Sequence, residues 1–112
     1  MKRTRVESER WFDVLMETED AQAAVMTLDA GEATGGPTNA HAGSDQWLYV
    51  ISGSGSVVVA GEPLDVEEGD LLVVEAGETH EVRASDEGAL ETLSLYVPPR
   101  AEVGVAGSER DG

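Results

Sequence analysis

The chain is predicted to be all-β, a single-domain sandwich or barrel of short strands, on three observations. Turn-forming clusters recur every eight to twelve residues, the apolar runs between them are short, and no stretch of ordinary length carries a convincing helical repeat. At 112 residues the chain makes one domain. Folding at this size removes roughly 65% of the unfolded surface, enough for one core without staples.

Residues 1–10 are polar, hold four of the seven basic residues and read as an N-terminal arm. The barrel is expected over 11–99, and the small, polar segment 100–112 reads as a loose tail. Trp11–Thr18 suits a first strand and Glu19-Asp20 a turn. Gln22–Asp29 is the second strand; its alanines also suit helix, but the run is short, uncapped and followed by Ala30-Gly31. Residues 30–44 read as a long Gly/Pro/Ala/Thr loop that carries His41. Gln46–Ser52 follows, with Gly53-Ser54-Gly55 as a hairpin connection to Ser56–Ala60. Gly61-Glu62-Pro63 turns into Leu64–Val66, and Glu67–Asp70 turns into Leu71–Glu75. That strand is expected to pair with His80–Ser85 around Ala76-Gly77-Glu78. Leu90–Val97 is last, and Pro98-Pro99 ends it because proline cannot donate to a ladder.

Composition narrows the function classes. Without cysteine there are no disulfides, thiolate metal sites or cysteine nucleophiles. No apolar run approaches the length of a membrane span, and Met1-Lys2-Arg3-Thr4-Arg5 lacks the apolar core of a signal peptide, so the expected location is cytoplasmic. The net charge is −16, from 23 acidic and 7 basic residues, spread over loops and strand edges. One reading is an ordinary soluble acidic protein. The other is a protein adapted to molar salt, where a Debye length of roughly 3 Å makes such self-repulsion tolerable. In either case nucleic acid is a poor partner, since a phosphate backbone needs a basic surface.

The chain's two histidines stand in similar settings, each beside a turn at the edge of an apolar run. The first lies in Gly36-Pro37-Thr38-Asn39-Ala40-His41-Ala42-Gly43-Ser44-Asp45-Gln46, and six residues separate Gln46 from Gly53. The second lies in Gly69, five residues, Glu75-Ala76-Gly77, two residues, His80. These two stretches resemble the paired signature motifs of the cupin superfamily, in which a His-x-His, a glutamate and a third histidine hold a divalent metal. The match covers residues 36–84, with glutamate (Glu75) where the second motif has proline. The resemblance implies a cupin-type β-barrel (jelly roll), commonly a homodimer. It puts His41 and His80 at histidine positions, Asn39 where the first histidine belongs and Gln46 in place of the glutamate.

Alternation along a strand puts Gln46, Leu48 and Val50 on one face, and likewise His80, Val82 and Ala84. Facing inward, they line an apolar pocket with a few polar atoms at its mouth. Trp47, Tyr49 and Ile51 then face out, on a surface apolar enough to need covering by another sheet, the N-terminal strand or a second subunit. The set His41, Gln46, His80 and Asn39 offers imidazole nitrogens and amide oxygens, which suit Fe, Mn, Ni, Co or Zn without choosing among them. Lacking an anionic ligand, such a site should hold its metal more weakly, and leave it more welcoming to an anionic or oxygen-rich small molecule. Each residue also has a plain structural role open to it: a loop histidine bonded to backbone for His41, a strand-start residue for His80, a buried amide for Gln46 and turn chemistry for Asn39. Tyr96 and Met26 either line the pocket or fill the core, while Glu75, Glu78 and Glu81 read as solvated charge. The resemblance implies either oxygenase-, isomerase- or decarboxylase-type chemistry on a small molecule, or a non-catalytic ligand-binding or sensor cupin.

Overall fold

The computed structural model describes residues 1–40 and 43–100, and for 36–40 the backbone alone. The described residues form nine strands: β1 (Phe12–Glu17), β2 (Gln22–Leu28), β3 (Ala33–Ala40), β4 (Asp45–Ser52), β5 (Ser54–Val59), β6 (Glu62–Glu67), β7 (Leu71–Val74), β8 (Thr79–Ala84) and β9 (Leu90–Val97). They make two antiparallel sheets, one of order β1-β2-β9-β4-β7 and one of order β3-β8-β5-β6. The chain passes back and forth between the sheets, and only β1–β2 and β5–β6 are hairpins. This is the all-β architecture expected from the strand pattern, in the jelly-roll form that the cupin resemblance implies.

Two pairings and one loop differ from expectation. The Gly53 link is not a hairpin: β4 pairs with β7 and β9, whereas β5 pairs with β6 and β8 in the other sheet. β7 and β8 likewise lie in different sheets. A short glycine-bearing link reads the same in sequence whether it folds a strand onto its neighbour or carries it across to the facing sheet. The long loop expected over 30–44 contains β3, paired with β8 from Ala33↔Arg83 to Gly36↔His80 and again at Ala40↔Thr79. Its Gly-Gly-Pro composition hides it; as an edge strand with an irregular register after Gly36, it tolerates a proline that a central strand would not.

Three turns share one design that absorbs part of the acidity. In Asp29–Glu32, Glu67–Asp70 and Glu75–Glu78 the fourth residue's carboxylate accepts the first residue's N–H at 2.8 to 2.9 Å, while its own N–H donates back to the first carbonyl. Each holds glycine at the third place with φ between +76° and +94°, the left-handed position such a turn requires. Glu78, read from sequence as solvated charge, is thus a turn-closing acceptor.

The inner faces interdigitate as one core, in which Phe12, Ala24, Met26, Leu28, Leu48, Val50, Val57, Val66, Val82, Ala84, Leu90 and Tyr96 are all buried. Strand parity follows the sequence reading: Leu48 and Val50 are inside with Gln46, and Val82 and Ala84 with His80. Tyr96 and Met26 belong to this core. Trp47 and Tyr49 remain 44% and 41% exposed on the outer face of the five-stranded sheet.

Candidate functional site

Topology places Gln46 and His80 at the same end of the barrel. Gln46 lies at the start of β4, seven residues before the Gly53 crossing, and His80 pairs with Val59 at the far end of β5, six residues after it. The two strands run away from a common link in facing sheets, so both residues sit at the end remote from Gly53. Residues beside Gln46 fix the segments that converge there. Ser44 Oγ donates to the Pro98 carbonyl at 2.7 Å, and Asp45 Oδ1 accepts the Ala76 N–H at 2.8 Å. The exit of β9 and the turn before β8 are thereby both tied to the start of β4.

Gln46 is 2% exposed, and its Nε2 donates to Ser94 Oγ at 3.1 Å. Its Oε1 is buried and, among the described residues, accepts no hydrogen bond. An unsatisfied buried acceptor is unfavourable by about 1–3 kcal/mol, so the Gln46 oxygen stands out among the buried polar atoms of this barrel end. His80 is 1% exposed, on the same inner face as Val82. The backbone of Asn39 lies in the irregular part of β3, between the Gly36↔His80 and Ala40↔Thr79 pairs, and so passes alongside the start of β8. His41 and the Asn39 side chain lie outside the described residues. Among the described residues no three His, Asp or Glu side chains gather as a metal cluster.

The same end of the barrel holds polar groups that sequence reasoning passed over. In the register of the five-stranded sheet Gln22, Tyr96, Gln46 and Val74 oppose one another in one row. Arg100, assigned from sequence to the start of the tail, sets its guanidinium 5.0 Å from the centre of the Tyr96 ring. Its Nη1 is buried and accepted by no group, and among the described residues it pairs with no carboxylate, although the chain has 23 acidic residues. The cation–π contact contributes about 0.5–2 kcal/mol, but leaves the Nη1 donor unmet among the described residues. Sequence signals for both residues existed: Gln22 shares the parity of Ala24 and Met26, and Arg100 is one of only seven bases, placed directly after the Pro98-Pro99 pair that ends the last strand.

These features meet in comparison with known proteins. Residues 24–96 match the family model described as a cupin domain. No curated protein matches the chain. Among solved structures, KdgF from Halomonas sp. is 27% identical over 81% of this chain and 80% of its own, with a TM-score of 0.74. A protein of Bacillus halodurans is 26% identical over 82% of this chain and 73% of its own, with a TM-score of 0.76. A cupin protein from Bacteroides fragilis, at 20% identity over 90% and 89% of the two chains, shares the fold with a TM-score of 0.71. With a family match across most of the barrel, a jelly-roll topology and a polar barrel end, the chain belongs to the cupin domain family.

Proposed function

We propose that this cupin binds a small anionic, oxygen-rich molecule at the polar end of its barrel, beside a divalent metal. The observation that carries the reading is the pair of buried, unmet groups there: Arg100 Nη1, a cationic donor, and Gln46 Oε1, a neutral acceptor. The donor set fits a metal. Gln46 Oε1 and His80, with His41 and Asn39 completing the set, are the residues that would hold Fe, Mn, Ni, Co or Zn. A bound ion of this kind supplies Lewis acidity to the ligand's oxygens. Ser94 anchors the end of the Gln46 side chain, and Arg100, steadied on Tyr96, takes the ligand's negative charge. The apolar walls from Leu48, Val50 and Val82 keep water out. Such a site suits oxygenase-, isomerase- or decarboxylase-type chemistry on a small acid.

A second reading, a non-catalytic ligand-binding or sensor cupin, is favoured by one observation. No Asp or Glu is buried among the described residues, so the inner faces described hold no carboxylate to act as a general acid or base. Elemental analysis separates these ideas. The metal reading expects about one equivalent per chain in protein purified without tag or chelator, lost in His80→Ala. A Gln46→Glu variant, which adds the missing negative charge, should bind metal at least about tenfold more tightly, and melt lower than the parent when metal is stripped. Protein that takes up no metal after reconstitution with all five ions would leave only the second reading.

The outer sheet face fits a homodimer. Trp47 opposes Val73 and Leu95, and Tyr49 opposes Leu71 and Leu93, in an uncharged patch on a chain of charge −16. Two acidic copies meet with least repulsion through such a face, and a two-fold axis makes it self-complementary. The charge itself fits a chain that works at molar salt. One potassium chloride titration checks both: light scattering should give twice the chain mass, reduced to one by Trp47→Asp, and the melting temperature should climb with salt. A monomer throughout, or a flat melting profile, would remove the corresponding half of this proposal.

A further inference from the structure

Gln22 occupies the inner face of β2 directly beside Tyr96, on the opposite side of β9 from Gln46. The two glutamines are built alike. Each is almost fully buried, each has its amide nitrogen hydrogen-bonded to a side-chain oxygen, and each presents Oε1 buried with no hydrogen bond among the described residues. For Gln22 the acceptor is Glu17 Oε1 at 2.7 Å, its register partner across the β1–β2 hairpin. Glu17 is exposed and carries the charge in solvent, so the hairpin sets the orientation of the buried amide from outside. That bond settles which end of the amide is nitrogen, because a carboxylate can only accept. At the backbone the two glutamines are two strand spacings apart, roughly 10 Å.

We propose that Gln22 Oε1 is a ligand-binding acceptor, selecting molecules that carry a hydrogen-bond donor, a hydroxyl or an N–H, on the side remote from Gln46. The inference rests on the reading of this barrel end as a ligand site. A glutamine placed for packing would leave its oxygen either bonded within the fold or in solvent. Here the nitrogen is anchored and the oxygen is left for an incoming donor. A molecule lacking that donor buries the Gln22 oxygen unmet, and is discriminated against for that reason.

The test uses the full chain and Gln22→Met, which keeps side-chain length and removes the unmet acceptor. With no ligand, the variant should melt at or above the parent, by up to about 3 °C, since the lost partner, Glu17, returns to water. Binding is then read with a matched pair of probes, tartrate and succinate, which differ by two hydroxyls. Tartrate should lose at least about tenfold in affinity in the variant while succinate is unchanged. A variant that melts about 3 °C or more below the parent overturns the inference, because the oxygen is then satisfied by a resident water and the residue is structural. Equal tartrate affinity in parent and variant overturns it too. Failure of the underlying ligand-site reading has a different signature: neither probe shifts the melting of the parent, and the ligand-free melting of Gln22→Met still decides whether the acceptor is unmet.

Discussion

Gly53→Ala is expected to destabilise the barrel by about 2–5 kcal/mol, enough to lower the melting temperature by roughly 15 °C or to prevent folding. Two effects add. The residue has φ +85°, where an L side chain is unfavourable by about 1–2 kcal/mol. Its Cβ would also collide with the Ala89 carbonyl, a backbone atom just before β9 that cannot swing away. Relieving such overpacking typically requires about 1–3 kcal/mol of backbone displacement. Here the displacement would part the crossing between the sheets from the strand that carries Ser94 and Tyr96. Gly77→Ala is the control: its φ is +86°, but nothing lies within 4 Å of the added carbon, so only the conformational term remains. Urea unfolding of both variants isolates the collision. If the two differ by less than about 1 kcal/mol, the close approach to Ala89 is not what fixes glycine at this place.

The glycine that closes the first motif was legible in sequence as a spacing, but its reason was not. The same holds for much of the barrel. Strand positions and strand parity follow from local chemistry, since Gln46, Leu48 and Val50 must share a face whatever the strand pairs with. Partners are not local. The Gly53 and Ala76-Gly77-Glu78 links looked like hairpins because they are short; only the completed sheets, with β9 between β2 and β4, show that both are crossings. β3 was concealed because two glycines and a proline are poor strand formers, and its pairing to β8 overrides that propensity. At the barrel end, Gln46 and His80 were found through motif spacing. Gln22 and Arg100 belong to no motif, and gain significance only when register sets Gln22 beside Tyr96 and the Arg100 guanidinium lies over the same ring.

Arg100 carries the other large effect. A surface with net charge −16 repels anions, so an acidic ligand needs a local cation, and Arg100 has a buried nitrogen at this end of the barrel. A hydrogen bond to a charged group is worth about 1.5–3 kcal/mol, so Arg100→Gln should weaken a small carboxylate ligand by roughly 10- to 100-fold. Arg100→Lys should fall between, keeping the charge but losing the planar fork and most of its stacking on Tyr96. Neither change should disturb the fold much, because Arg100 lies beyond β9 and its buried Nη1 has no hydrogen-bond partner to lose among the described residues. Arg83→Gln is the matched control: that arginine is exposed, and bonds the Gly31 carbonyl at 3.2 Å. The measurement is calorimetric titration of the tightest-binding member of a panel of small carboxylates into all four proteins, at one fixed salt concentration, since screening alone changes such affinities. Loss in Arg100→Gln with Arg83→Gln unchanged ties the anion to the barrel end. Equal affinity in both would place the anion elsewhere, and leave Arg100 as a cap on the Tyr96 ring.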